Sequence, residues 1–251
     1  MHYVPLRTRW IVRGLFALLA VICILLVLLG RRTDSQLPNQ EPLSAPNPLS
    51  SDSQPVQTPD PNDWNLTLVN PWNSLPEDYQ PDLTQLSNGQ SVDSRCAPDL
   101  QTMLADCQAA GYSPLICSSY RTWEKQTQLY QSLTNKFVRK GYPRDEALQR
   151  ASKEVAPPGT SEHQLGLAVD IVDVNQQVLD SSQENTPVQQ WLMNNSWRYG
   201  FILRYPSDKS ELTGIIYEPW HYRYVGRQAA EAITSQGLCL EEYLSQESGK
   251  T

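Results

Sequence analysis

The sequence predicts an α+β fold for the part of the chain that begins near residue 64. Two observations indicate this class: helical and extended patterns alternate along the chain with short strands, and no glycine-rich phosphate loop of a doubly wound sheet is present. Roughly 185 residues are available there, which suits one domain with a full hydrophobic core. We therefore expect a single domain over residues 64–251.

Capping residues and breakers mark the predicted helices. Thr122 and Thr186 are N-cap residues, and Gly111 ends the first helix. The predicted helices cover 98–110, a segment opened by Thr122, 144–154, 187–199 and 227–236. The predicted strands, from short apolar and β-branched runs, cover 114–120, 167–172, 201–204, 215–217 and 221–224.

The first 63 residues are expected to lie outside this domain. Residues 14–30 are almost wholly apolar and, with the apolar residues just before them, approach the ~20 needed to cross a bilayer. We expect a single-pass membrane anchor there, with residues 1–13 in the cytoplasm. A cleaved signal peptide is the alternative, although no small-residue cleavage pattern follows. Residues 31–63 are rich in Pro, Ser and Gln and are expected to form a disordered linker.

Charge and cysteine content exclude some functions. The net charge of −7, without a basic patch, argues against nucleic acid as a partner. Cys96, Cys107, Cys117 and Cys239 form an even set in a part expected outside the cytoplasm, which permits disulfides. Cys96 and Cys107 should lie ~16 Å apart on one helix, too far to pair. Buried free thiols are an equal alternative, and none of the four has the spacing of a zinc or redox motif.

A first candidate metal-ligand pair lies around the predicted strand 167–172. Alternation places Asp170 on one face of this mostly apolar strand with Ala168 and Val172. A buried carboxylate needs a partner, and His163 in the preceding turn could meet it over a zinc ion. The alternative is that Asp170 caps a neighbouring backbone and His163 is an ordinary surface histidine.

A second histidine motif lies about fifty residues later. The chain has three histidines; one precedes the predicted anchor, so His163 and His221 are the two that the domain offers. Glu218 is three residues before His221, and Pro219 interrupts strand geometry so that both side chains can face one site. His221 would be a third ligand and Glu218 an unligated base. An aromatic edge strand with a solvated glutamate is the alternative.

Arg121 adds a permanent cation at the junction of a predicted strand and a predicted helix. A planar guanidinium binds carboxylates and oxyanions well because it bonds two oxygens at once. A surface salt bridge is the alternative for this residue.

Three short motifs together resemble those of a known family. They are S-x-H-x-x-G-x-A-x-D over 161–170, E-x-x-H over 218–221 and S-Y-R-T over 119–122. In this combination they resemble the zinc D-alanyl-D-alanine carboxypeptidases of the VanY type, part of the group that includes lysostaphin and Sonic hedgehog. The resemblance runs from about residue 68 to residue 226, most of the predicted domain.

The resemblance implies a small antiparallel sheet flanked by helices and one zinc ion per chain. It implies that His163, Asp170 and His221 hold the zinc. Glu218 would act as general base for zinc-bound water and then as the acid that protonates the leaving amine.

The resemblance also implies the substrate. Arg121 would stabilise the oxyanion and bind substrate, and Ser161 and Gln126 match substrate-binding positions of the family by spacing. The substrate would be the D-Ala-D-Ala end of peptidoglycan stem peptides, from which D-alanine is released. An extracytoplasmic domain on an anchored linker suits such a polymer of the bacterial cell wall.

Other functions stay open at this point. An L,D-carboxypeptidase or a peptidoglycan endopeptidase could use the same metal site, because pocket residues select the bond that is cut. An iron(II) oxygenase shares the ligand set of two histidines and one carboxylate, but it needs no base three residues before the last histidine. A non-catalytic cell-wall binding module would be favoured by a lost ligand or base, and all four positions are filled.

Overall fold

Two antiparallel sheets and seven α-helices make up the part of the chain that the structure, a computed structural model, describes, residues 63–248. The strands are β1 (Leu83–Gln85), β2 (Ser91–Asp93), β3 (Pro114–Ser118), β4 (Ala168–Asp173), β5 (Phe201–Leu203) and β6 (His221–Tyr224). The helices are α1 (Ala97–Ala109), α2 (Trp123–Arg139), α3 (Arg144–Glu154), α4 (Pro187–Asn195), α5 (Ser210–Thr213), α6 (Arg227–Gln236) and α7 (Leu240–Ser248). The expected α+β class with a small antiparallel sheet is confirmed.

The four-stranded sheet has the order β3-β4-β6-β5, with every neighbouring pair antiparallel. Strands β1 and β2 form a separate hairpin. All six residues of β4 are buried, so this strand is covered on both faces. Its register places Asp170 opposite Ser118 of β3 on one side and opposite His221 of β6 on the other.

The main hydrophobic core fixes this sheet in place. It combines Val169 and Ile171 of β4 with Leu100 and Met103 of α1 and Leu192 of α4, all at most 1% exposed. Full burial of one such side chain stabilises the fold by roughly 1.5–3 kcal/mol. The polar residues of β4 therefore occupy fixed positions between packed apolar neighbours.

The capping residues read from the sequence act as expected. The Thr122 hydroxyl accepts a hydrogen bond from the Lys125 amide at the start of α2, and the Thr186 hydroxyl accepts one from the Gln189 amide at the start of α4. After α4 the chain makes one further 3₁₀ turn over Ser196–Tyr199, and Gly200 ends that turn in the left-handed conformation, with φ of 81°. The helices over 144–154 and 227–236 have the predicted bounds.

The predicted strand over 215–217 is wrong. The Ile216 amide donates to the Lys153 carbonyl at the end of α3, and the Glu218 amide donates to the Tyr205 carbonyl after β5, so this segment is a loop tied to a helix end and to another loop. Its apolar residues had suggested a strand, but none of the strands between residues 63 and 248 pairs with it. The hairpin β1–β2 and the last helix α7 were not predicted.

The four cysteines of the domain form no disulfide bonds with one another. Cys96, Cys107, Cys117 and Cys239 all have free thiols. Between residues 63 and 248 no helix is both long and apolar enough to cross a membrane. The anchor predicted over 14–30 and nearly all of the linker predicted over 31–63 lie outside the described residues.

Gly166, in the turn before β4, occupies a backbone conformation that a residue with a side chain would strain. It has φ of 75°, and a Cβ built on it would lie 3.0 Å from the Asp93 amide nitrogen, which donates to the Gly166 carbonyl. Gly111 has φ of 91° with open space around it, so Gly111→Ala should cost only the ~1–2 kcal/mol of the left-handed conformation. Gly166→Ala should lower the free energy of unfolding by more, because the methyl group also crowds the Asp93 amide, which must shift by a few tenths of an ångström.

Denaturant unfolding of the two variants side by side checks this prediction. An equal loss for both would show that the contact between Gly166 and the β2 end does not constrain the turn.

Candidate metal and catalytic centre

Two histidines and one aspartate converge at the centre of the sheet. His163 Nε2 lies 3.3 Å from Asp170 Oδ2, and His221 Nδ1 lies 3.1 Å from Asp170 Oδ1. One donor atom from each residue can be chosen so that all three lie within 4.8 Å of one another. All three side chains are buried. The structure therefore brings together the three residues that the sequence predicted as metal ligands.

Strand register and one glycine produce this arrangement. Asp170 and His221 are directly opposite in the antiparallel pair β4–β6, so their side chains project from the same face of the sheet. His163 lies in the 3₁₀ turn Glu162–Leu165, which ends at Gly166 in the left-handed conformation. That turn reverses the chain just before β4 and points His163 back toward Asp170.

The neighbours of the His163 ring determine which of its two nitrogens carries the proton. His163 Nδ1 lies 2.7 Å from the Ser119 carbonyl oxygen. A carbonyl only accepts, so in the neutral ring Nδ1 carries the proton and Nε2 offers its lone pair to the site. In His221 it is Nδ1 that faces Asp170, while Nε2 faces the Glu162 carboxylate at 3.5 Å.

This donor set fits zinc. Two imidazole nitrogens and one carboxylate oxygen are three protein ligands of the type that catalytic zinc sites use, with a fourth position left for water or substrate. The three residues line one cleft of about 660 Å³, so the fourth position would open toward solvent and substrate. Hard cations such as Mg²⁺ and Ca²⁺ prefer oxygen ligands and fit this set less well.

Glu218 lies beside the three ligands. Its Oε2 is 3.6 Å from His221 Nδ1. The His221 amide donates to the Glu218 carbonyl at 3.1 Å, which closes a turn around Pro219 before β6 begins. The expectation that Pro219 lets both side chains face one site agrees with this turn. Burial, together with the charge of Asp170, raises the pKa of Glu218 to about 8.

The two histidines titrate differently in the metal-free protein. Burial lowers the pKa of His163 to about 4, and the nearby Arg121 charge contributes. Burial also disfavours the charged form of His221, but its contacts with Asp170 and Glu162 outweigh this and raise its pKa to about 9. His221 is thus protonated at neutral pH until a metal replaces the proton.

Arg121 contacts the aspartate directly. Its Nη2 donates to Asp170 Oδ2 at 2.9 Å and to the Ser118 hydroxyl at 2.7 Å. Its Nη1 donates to Gln126 Oε1 at 3.3 Å, and Gln126 in turn donates to the Ala156 carbonyl. The guanidinium also lines the cleft. Arg121 is held in place by neighbours and still faces the cleft.

The two remaining predicted residues occupy different environments. Ser161 lines the cleft, and its side chain makes no capping bond to the turn that follows it. Gln126 is fully buried and supports Arg121. Direct contact of Gln126 with substrate stays a prediction, since its side chain bonds to Arg121 and to the Ala156 carbonyl.

Comparison with known proteins agrees with this geometry. A sequence model of the family described as VanY, D-alanyl-D-alanine carboxypeptidase, matches residues 89–227. The chain belongs to the VanY family. A D-alanyl-D-alanine carboxypeptidase of Enterococcus faecalis (strain ATCC 700802 / V583) is 49% identical over 188 residues, which are 75% of this chain and 68% of that protein.

Two solved VanY structures have the same fold. The structure of VanYB in complex with D-alanine-D-alanine has a TM-score of 0.68 and 49% identity, and the match covers 74% of this chain and 99% of that one. A VanY D,D-pentapeptidase variant from a VanB-type vancomycin resistance cassette, in complex with Zn(II), has a TM-score of 0.66 and 48% identity over 72% of this chain and 99% of that one.

One charged residue of this VanY-family centre was missed in the sequence. Glu162 lies between Ser161 and His163 and is 1% exposed, with its carboxylate against His221. The sequence motif contains it, but nothing in its local pattern distinguishes it from a solvated glutamate. Its charged partners, Arg204 and Arg223, are distant in the sequence.

Zinc affinity of this VanY-family protein should depend on pH. His221 must lose its proton to bind metal, and its pKa in the metal-free protein is raised to about 9. Between pH 9 and pH 6 the zinc affinity should therefore fall by up to tenfold per pH unit. Competition with a chromophoric chelator of known pH dependence measures this directly. An affinity that stays constant over this range would show that His221 does not exchange a proton for the metal.

Proposed function

We propose that this chain is a zinc carboxypeptidase that hydrolyses the terminal D-Ala-D-Ala bond of peptidoglycan stem peptides and releases D-alanine. The observation that supports it most is the presence of the whole set, His163, Asp170, His221 and Glu218, at one buried point of an open cleft. The family membership and the zinc and D-Ala-D-Ala complexes of its relatives agree with this reaction.

Zinc would be held by His163 Nε2, the Asp170 carboxylate and His221 Nδ1. When bound, zinc supplies Lewis acidity, which lowers the pKa of a water molecule and polarises the carbonyl of the scissile peptide bond. The burial of all three ligands strengthens these electrostatic effects, since the surrounding dielectric is low.

Glu218 would move the proton. Its carboxylate is next to the ligands without being one of the three, so it can take a proton from the attacking water and later deliver it to the leaving amine. Its raised pKa, about 8 in the metal-free protein, matches a group that must both accept and return a proton near neutral pH. A bound dication lowers this pKa and favours the basic form.

Arg121 and Ser161 would bind the substrate. Arg121 faces the cleft while its Nη2 is fixed on Asp170. The guanidinium is therefore already in position to stabilise negative charge on the scissile carbonyl oxygen. Ser161 lines the same cleft, and its hydroxyl could bond to the peptide backbone of the substrate.

The cleft is longer than a dipeptide requires. It continues from the metal ligands along one face of α2, from Leu129 to Arg139, and its other wall includes the exposed side chains of Leu179 and Ile216. Ten residues of helix extend about 15 Å, and an extended peptide covers roughly 3.3 Å per residue. This length supports a peptide substrate of several residues such as a stem pentapeptide.

The location in the cell is part of the same proposal. A membrane anchor over 14–30 with a linker over 31–63 would hold the domain over 64–251 outside the cytoplasm of a bacterial cell, next to the cell wall. The apolar composition of 14–30 and the polar composition of the linker support this placement.

Substitution of Glu218 tests the role of the base. Glu218→Gln keeps all three zinc ligands and removes the proton acceptor, so zinc content should stay at one per chain while kcat falls by roughly 10²–10⁴. The same change at Glu211, which is exposed on α5, should leave both quantities unchanged. Metal analysis and steady-state kinetics on the two variants measure this, and full turnover by Glu218→Gln would remove Glu218 from the mechanism.

Product analysis tests the reaction itself. The purified full-length chain, loaded with zinc, should remove one terminal alanine from a stem pentapeptide ending in D-Ala-D-Ala, and a chelator should abolish this. Mass spectrometry of the products distinguishes the alternatives. Cleavage of a tetrapeptide alone would indicate an L,D-carboxypeptidase, internal cleavage an endopeptidase, and no cleavage of either peptide a binding module.

A further inference from the structure

Glu162 lies at the centre of a buried charge network behind the metal site. Its Oε1 accepts hydrogen bonds from Arg204 Nε at 2.7 Å and from Arg223 Nη1 at 2.8 Å. All three side chains are fully buried. Arg204 also binds Glu241 through both of its terminal nitrogens, at 2.9 and 2.7 Å. Two cations and two carboxylates therefore balance one another in the interior.

The second oxygen of Glu162 has no hydrogen-bond partner within residues 63–248, and neither has His221 Nε2. These two unsatisfied atoms face each other at 3.5 Å. A buried polar atom without a partner costs roughly 1–3 kcal/mol. A ring shift of a few tenths of an ångström would join the two atoms in one hydrogen bond and satisfy both.

We propose that Glu162 is a positioning residue for the metal site: its free oxygen accepts a hydrogen bond from the His221 Nε2–H group and thereby keeps the proton on Nε2, so that the Nδ1 lone pair is presented to the metal. The inference rests on the proposed zinc site. Histidine ligands are commonly oriented in this way by a carboxylate behind the ring.

Position in the fold supports this role. Glu162 is the neighbour of His163 in the 3₁₀ turn, and Arg223 is two residues after His221 in β6. The ion pair between Glu162 and Arg223 therefore ties the turn that carries one histidine to the strand that carries the other. Arg223 also donates to the backbone carbonyls of Tyr224, Asn65 and Thr67, and Glu162 is the carboxylate with which it pairs.

The test compares zinc affinity in two variants of the full-length chain. Glu162→Gln replaces the charged acceptor behind His221, and the zinc dissociation constant should rise by roughly 10–100-fold. Glu241→Gln is the matched control, because it removes the other carboxylate of the network without touching His221. It should lower thermal stability and leave the zinc dissociation constant as in the wild type.

The visible spectrum of the Co(II)-loaded proteins gives a second readout. A change in the His221 ring position should shift the Co(II) bands in Glu162→Gln and leave them unchanged in Glu241→Gln. Glu162→Asp keeps a negative charge opposite Arg204 and Arg223, but its side chain is shorter by one methylene group. We expect it to lose less zinc affinity than Glu162→Gln. If Glu162→Gln fails to fold, Glu162→Asp still allows the zinc dissociation constant to be compared with that of the wild type.

The zinc-loaded wild type provides a measurement that needs no variant. Long-range proton–nitrogen NMR correlations of the His221 ring should show the proton on Nε2. A proton on Nδ1, wild-type zinc affinity in both Glu162 variants, or an equal loss of affinity in Glu241→Gln would each overturn the proposal. None of these measurements uses substrate, so they are independent of whether the chain hydrolyses D-Ala-D-Ala.

Discussion

The pairing of β4 with β6 is the constraint on which the functional centre depends. It places Asp170 opposite His221, and the pairing of β3 with β4 places Ser118, a partner of Arg121, opposite Asp170 on the other side. Because side chains alternate along a strand, a slip of one residue would turn Asp170 away from both. All six residues of β4 are buried, so after such a slip the Asp170 carboxylate would still be buried but without its partners. The free-energy cost of an unpaired buried carboxylate opposes the slip.

Buried charge is the second feature of this protein. Asp170 is paired with Arg121 in front of the sheet, and Glu162 is paired with Arg204 and Arg223 behind His221. Breaking one such pair typically costs 3–5 kcal/mol, because it leaves a charge uncompensated in a low dielectric. Because both partners lose their hydration on burial, an intact pair adds little net stability compared with apolar residues of similar size. Its presence here is expected where charges orient the ligands of a metal.

The sequence predicted that His163, Asp170 and His221 would share one site, and the structure brings them together; this could be predicted because their residue types are scarce and their spacing is specific. Two histidines were available to the domain, and Pro219 explained how Glu218 and His221 could share a site. Glu162 was missed because its partners come from distant segments, which only the folded chain brings together. The strand predicted over 215–217 failed for a related reason: apolar content indicates burial or a cleft wall, but strand formation requires a partner that the local sequence does not show.

The most direct test of the account is a titration of the metal-free protein with zinc, in which bound zinc and release of D-alanine from a stem pentapeptide are measured on the same samples. Activity should rise in proportion to bound zinc and reach its maximum at one ion per chain. Activity in the rigorously metal-free protein, or a zinc-saturated protein that releases no D-alanine, would contradict the central claim that one zinc ion held at this strand pair drives the reaction.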